Sequence, residues 1–241
     1  HYLYSTLKAK KLYFEAHQLK KNWIDTEVGL DRRDSLQAVA KSLLLEAYRL
    51  DSAAAFICHA IADLYWLNLP YRTDSMLIWT EKAVERSPRW LLPYLDLSHE
   101  YQVSQSDFPA SERWLLRAAE IDSESVVVLE RLAWLRQRQN RTEETIRLCK
   151  KIIQLKPDIP NGYLTLIYTY AFRREVDSLQ LWFQKLKLLP VPDMGFGLSI
   201  GFVLFNVRNR AAVSLIPDVE KEESEAQISR MNRYTCHMSM G

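Results

Sequence analysis

Through most of the first 190 residues, apolar side chains recur three and four positions apart. That spacing lines one face of a helix, and the alternation of a half-buried strand is missing. The helical stretches come in blocks with similar endings: YRLDS at 48–52, VERSP at 84–88, AEIDS at 119–123, IQLKP at 153–157 and KLLP at 187–190. Counted between the closing residues Ser52, Pro88, Ser123, Pro157 and Pro190, the gaps are 36, 35, 34 and 33 residues. A period near 34 with two apolar helix faces per block predicts stacked antiparallel hairpins, each stopped where proline cannot continue a helix. Two helices near 2–22 and 35–50 form an irregular first block.

The best-formed block is 126–159, VVVLERLAWLRQRQNRTEETIRLCKKIIQLKPDI. It resembles the tetratricopeptide repeat family in spacing: Leu129 stands at the usual tryptophan position, Leu132 and Ala133 at the Leu-Gly pair, and Pro157 closes the unit. Thr145, Cys149 and Ile152 fill the Ala, aromatic and Ala positions of the second helix. Two residues depart from the family pattern, Arg136 in place of an aromatic and Ile152 in place of alanine. The following block carries Tyr163, Leu166, Ile167 and Tyr170, then Leu179, Phe183 and Leu186. The preceding block carries Tyr94, Leu97, Ser98 and Tyr101, then Ser111, Leu115 and Ala118 after about one inserted residue. Before it come Cys58, Ile61, Ala62 and Tyr65, then Met76, Thr80 and Ala83 after about two insertions. The irregular first block places Ala40, Leu44 and Ala47 on its second helix. The resemblance implies an all-α, right-handed superhelical solenoid of about ten to twelve helices over residues 1–190. Small residues at Ala62, Ser98 and Ala133 would let the helices of a hairpin approach closely, and each hairpin would bury its face by stacking on its neighbours.

Composition sharpens this picture. Only Gly29 and Gly162 fall among the first 190 residues, too few for a sheet protein rich in turns or for phosphate-cradling loops. A net charge of +2 gives no basis for binding nucleic acid across the surface. Cys58, Cys149 and Cys236 form no CxxC and cannot all pair within the chain, so Cys58 and Cys149 read as small core residues. Residues 191–241 break the repeat. Met194–Phe205 is apolar and includes a GxxxG at Gly197 and Gly201, but its 12 residues are too few to span a bilayer. It reads as a closing helix, or else a membrane-surface segment, followed by a charged tail. The start at His1 reads as a processed chain or a soluble piece of a longer one, from cytoplasm or periplasm alike.

No catalytic pattern survives inspection. His99-Glu100 begins like HExxH, but Val103 stands where the second histidine belongs. Walker and GxSxG motifs are missing, Gly195 and Gly197 do not extend to a dinucleotide fingerprint, and Cys236-His237 is too small a set for a metal. The expectation is therefore a chain without enzymatic activity, metal or cofactor. In the family, first-helix positions line the concave groove. Carried over, they are His59, Asp63 and Trp66; Leu95, His99 and Gln102; Glu130, Trp134, Gln137 and Arg138; and Leu164, Tyr168 and Phe172. The family's clamp for C-terminal carboxylates, built from lysine and asparagine at these places, is absent. Aromatics interleaved with single charges suit an amphipathic peptide or helix as partner. Two functions follow: a protein-binding scaffold, or a sensory module of a larger bacterial membrane-anchored protein such as a transcriptional regulator or an O-antigen ligase.

Overall fold

The computed structural model describes residues 2–25, 30–66 and 73–189. The expected closing helix and tail at 191–241, and the Trp66 side chain, lie outside them. The described residues form ten helices and no strand: α1 Tyr2–Asp25, α2 Leu30–Leu50, α3 Ala55–Trp66, α4 Thr73–Arg86, α5 Leu91–Val103, α6 Phe108–Ile121, α7 Val126–Arg138, α8 Thr142–Leu155, α9 Pro160–Arg173 and α10 Val176–Lys187. Two compact units divide the chain, residues 1–128 and 129–241. In the first, α1 packs on α2, α3 on α4 and α5 on α6, with α2 against α3 and α4 against α5. In the second, α9 packs on α8 and on α10, and the Thr145 hydroxyl of α8 reaches the Ala133 carbonyl of α7 at 3.5 Å. No helix among the described residues is long and apolar enough to cross a membrane.

The register read from the sequence is largely the register of burial, with Tyr65 and Tyr101 only half-buried. On the first helices, Cys58, Ile61 and Ala62; Tyr94, Leu97 and Ser98; Leu129, Leu132 and Ala133; and Tyr163, Leu166, Ile167 and Tyr170 are all buried. On the second helices, so are Ala40, Leu44 and Ala47; Met76, Thr80 and Ala83; Ser111, Leu115 and Ala118; Thr145, Cys149 and Ile152; and Leu179, Phe183 and Leu186. Each second-helix set has the spacing i, i+4, i+7, one stripe facing inward. The first hairpin uses alanines, with Ala9, Leu12 and Ala16 of α1 packed against Ala40, Leu44 and Ala47 of α2. Helix α2 starts at Leu30, five residues before the expected 35, and Arg32, Asp34 and Ser35 in that stretch are exposed. Polar residues that face solvent leave no apolar periodicity to read.

The two departures in block 126–159 have local explanations. Arg136 is buried, and its charge is met by Glu144 of α8 at 3.1 Å and by the Gln139 side chain at 3.0 Å. A buried guanidinium needs such partners. Ile152 is too large for a position normally held by alanine, and Gly162 of α9 compensates. A Cβ at Gly162 would lie 2.9 Å from Ile153 Cγ1, 3.2 Å from Ile152 Cγ2 and 3.3 Å from the Cys149 carbonyl oxygen. The missing side chain makes room for the bulky one.

The hairpin turns repeat as closely as the helices. Ser106, Asn140 and Arg174 adopt positive φ of 53°, 56° and 60°, at intervals of 34 residues. The amide after each closes the preceding helix: Asp107 N–H donates to Tyr101 O at 2.8 Å, Arg141 to Arg136 O at 2.8 Å and Glu175 to Tyr170 O at 3.0 Å. The last two span five residues, the reach of a Schellman closure. The first spans six, which locates the inserted residue of that block in its turn. Asp107 also caps α6, accepting from the Ala110 amide at 2.8 Å.

The connections between hairpins carry a second device. Tyr94 donates its hydroxyl to the Pro88 carbonyl at 2.9 Å, and Tyr163 donates to the Pro157 carbonyl at 3.0 Å. In both cases tyrosine follows the closing proline by six residues. Blocks that close on Ser52 and Ser123 have Cys58 and Leu129 at that place, with no hydroxyl to offer. Burial raises the pKa of the Tyr94 phenol, so it stays a donor. Tyr94→Phe and Tyr163→Phe are each expected to lower stability by about 1 kcal/mol, read as a lower urea midpoint with unchanged slope. Gly162→Ala is expected to destabilise too. Overpacking costs about 1–3 kcal/mol and outweighs the helix-propensity gain of about 1 kcal/mol. Gly162→Val should be worse, and thermal melts of the two variants check the order.

Candidate functional site

The positions assigned to the groove differ in what the fold does with them. In the first unit, His59 and Asp63 sit one turn apart on α3 and are half-buried. On α5, Leu95 is only 6% exposed and serves the core, while His99 and Gln102 are half-buried. Leu95 turns inward because Tyr94, Leu95, Leu97 and Ser98 are all buried, a wide apolar arc around one helix.

His59 and Asp63 join a polar cluster that includes residues the sequence reading did not single out. His59 Nε2 lies 2.7 Å from Asp96 Oδ2 on α5. Lys20 Nζ of α1 lies 2.8 Å from Asp63 Oδ2. The Trp90 ring, at the start of α5, stands 4.9 Å from the imidazole at an interplanar angle of 56°. Among the described residues, His59, Asp63 and Asp96 are the group whose potential ligand atoms all lie within 4.8 Å of one another. Asp63 also faces Tyr13, whose phenol pKa is raised mainly by burial and further by that carboxylate. Asp96 is one position beyond Leu95, and Lys20 comes from the irregular first hairpin, so repeat register pointed at neither.

In the second unit, α7 and α9 present a different face. Trp134 is 43% exposed and Phe172 65% exposed. The Arg138 guanidinium lies over the Trp134 ring at 5.3 Å, one turn further along α7. Glu130 and Gln137 are half-buried, and Glu130 accepts from the Asn161 amide of α9 at 2.9 Å. Leu164 and Tyr168 are half-buried, and burial raises the Tyr168 phenol pKa. Arg173 at the end of α9 pairs with Glu143 and Glu175.

The second helices show why Trp134 stands out. Trp79, Trp114 and Trp182 occupy one repeat position and pack edge-on or tilted against Tyr48, Tyr94 and Tyr163, with centroids 4.9, 5.9 and 6.1 Å apart. Each has a cation three residues on: Lys82 at 4.2 Å, Arg117 at 5.0 Å and Lys185 at 4.3 Å from the ring centre. These indoles have aromatic partners inside the array. The W-x-x-K/R spacing was legible in the sequence and marks packing. Trp134 is on a first helix, and its large exposed face is the kind of surface that binding sites use.

Cys58 and Cys149 are buried thiols. Burial pushes Cys149 from 9.0 up to about 12, and Glu130 adds to the effect.

A 34-residue register, buried stripes on both helices of each hairpin and a repeated left-handed turn define an all-α repeat fold of the tetratricopeptide type. Solved structures share it. PilF of Pseudomonas aeruginosa aligns with a TM-score of 0.60 at 15% identity, over 93% of this chain and 99% of that one. MamA from Desulfovibrio magneticus RS-1 aligns with a TM-score of 0.60 at 12% identity, over 76% and 94%. YrrB, described as a tetratricopeptide protein with an unusual peptide-binding site, aligns with a TM-score of 0.57 at 15% identity, over 78% and 89%. No family model matches the chain, and no curated protein matches it. At these identities the likeness concerns the fold.

The raised Cys149 pKa has a consequence for stability. The folded chain holds the thiol proton up to about pH 12, while the unfolded chain releases it near pH 9. Between those values the native state binds more protons, so stability falls as pH rises, at about 1.4 kcal/mol per pH unit. Below pH 9 the contribution is fully present. Cys149→Ala is expected to show a shallower loss of stability above about pH 9 in paired urea titrations. Parallel slopes for the two proteins would count against a buried neutral thiol.

Proposed function

We propose that the chain is a non-catalytic scaffold that binds a protein or peptide on the first-helix faces of its hairpins. The observation that carries this reading is the exposed pair Trp134 and Phe172 on α7 and α9, with Arg138 stacked over the indole. Core packing does not use these aromatics, since Leu129, Leu132, Leu166, Ile167 and Tyr170 already fill the buried positions of the two helices. Exposed aromatic faces beside a single guanidinium fit a peptide with apolar residues at helical spacing and an acidic or polar residue next to them. The peptide-binding site named for YrrB supports the class of ligand. Tyr168 and Leu164 of α9 and Gln137 and Glu130 of α7 are half-buried on the same two helices and would add apolar and hydrogen-bonding groups beside the anchors.

The test is selection from a displayed peptide library, with affinities of the selected peptides then measured by fluorescence anisotropy. Trp134→Ala and Phe172→Ala are each expected to weaken binding by about 30-fold or more, the effect of truncating a central aromatic anchor. Lys150→Ala, exposed on α8, is expected to leave affinity unchanged. Retention of affinity in both aromatic variants would move the site off this face.

A further inference from the structure

We propose that His59, Asp63 and Asp96 form a binding site for a divalent transition-metal ion, with zinc best matched to the donors. The site does not depend on the peptide-binding reading, since the metal would bind with no peptide present. One imidazole and two carboxylates are three protein ligands, the number that leaves a fourth position open for water or for a group on a partner. An imidazole selects the zinc, copper, nickel and iron group over calcium and magnesium, which take oxygen ligands throughout.

The geometry favours convergence. His59 and Asp63 are four residues apart on α3, so both project from one side of the helix, one turn from each other. Asp96 comes from α5 and already meets the imidazole, with His59 Nε2 at 2.7 Å from its Oδ2. All three donor atoms lie within 4.8 Å of one another. Ligands held at zinc bond lengths of about 2.0–2.2 Å in a tetrahedron stand about 3.3–3.6 Å apart. To hold an ion, the His59–Asp96 pair at 2.7 Å would have to open and the wider pair to close, each by rotation of its side chains. The Trp90 ring, 4.9 Å from the imidazole, limits its freedom and presents it to the cluster.

The present partners show what the site must exchange. An N–H of the imidazole donates to Asp96, and the Lys20 ammonium neutralises Asp63 at 2.8 Å. A bound dication would take the Nε2 lone pair, leaving the imidazole its N–H on Nδ1, and would displace the Lys20 ammonium from Asp63. Lys20 therefore acts as a competitor built into the fold.

Zinc chloride titrated calorimetrically into the full chain, in a buffer that does not chelate, is expected to show one site. His59→Ala and Asp96→Asn should each weaken it by at least about tenfold, with helicity by circular dichroism unchanged. Lys20→Met should tighten it, because Asp63 is then released. Cobalt in place of zinc reports the ligands without any substitution. Its visible bands should appear with no thiolate charge-transfer band, which separates this site from one using Cys236 and His237. The proposal is overturned if the wild-type chain takes up no zinc. It is equally overturned if uptake persists in His59→Ala and Asp96→Asn but is lost in a Cys236→Ala, His237→Ala variant, or if Lys20→Met weakens it.

Discussion

The close approach of the two helices within each hairpin is the constraint from which the rest of this structure follows. A helix pair comes together most closely where side chains at the crossing are small, and the α5–α6 and α7–α8 hairpins supply them on both sides. Ser98 of α5 and Ser111 of α6 meet there with hydroxyl oxygens 2.9 Å apart. Ala133 of α7 and Thr145 of α8 meet through the threonine hydroxyl and the alanine carbonyl. Ala62 of α3 holds the position of Ser98 and Ala133, while Met76 of α4 stands where Ser111 and Thr145 do; one turn on, the Thr80 hydroxyl donates to the Met76 carbonyl of its own helix at 2.8 Å. These polar atoms are buried, so their hydrogen bonds are what makes a small hydroxyl residue tolerable at a crossing. Once the crossing is set, the larger residues one turn away meet their neighbours, and an otherwise one-sided hairpin acquires a face for the next to cover.

Where one position breaks the pattern, a neighbour restores the volume or the charge. Ile152 and Gly162 exchange bulk between α8 and α9. Arg136 takes an aromatic's place and is neutralised by Glu144, which also accepts from Arg141 at the hairpin turn. Arg174 holds a left-handed turn that asparagine holds 34 residues earlier. A side chain other than glycine, asparagine or aspartate at such a turn is strained, and the closing hydrogen bond from Glu175 to Tyr170 keeps it there. A repeat that tolerates such exchanges can drift far in sequence and keep its fold. That explains structural likeness at 12–15% identity with no family model matching.

The candidate sites come from the same logic of surplus. Once the buried stripe of a first helix is filled, what remains on its other faces is released from packing. In the first unit those faces gathered carboxylates, an imidazole and a lysine; in the second they gathered an indole, a phenyl ring and a guanidinium. The first collection suits a cation, the second an apolar side chain with an acidic neighbour. Cys149 stands at the opposite extreme, a buried thiol whose ionisation is pushed up by its enclosure.

The amino-acid sequence by itself determined the repeat: the period, the helix pairs, the buried stripes and the small residues at Ala62, Ser98 and Ala133. Those are local regularities, and a 34-residue spacing with apolar residues three and four apart has one physical reading. It also placed His59, Asp63, Trp134 and Phe172 on first helices. Only the tertiary structure decided which of them remain at the surface. Leu95 shares its register position with His59, yet it is buried, because α5 carries apolar residues around a wider arc than α3. Asp96 and Lys20 reach the His59 cluster from helices 37 and 43 residues away in the chain. The two latches of Tyr94 and Tyr163, and the fit of Ile152 to Gly162, likewise depend on helices meeting. Which groups converge is set by how hairpins stack, and stacking is a contact between segments that spacing along one segment does not encode.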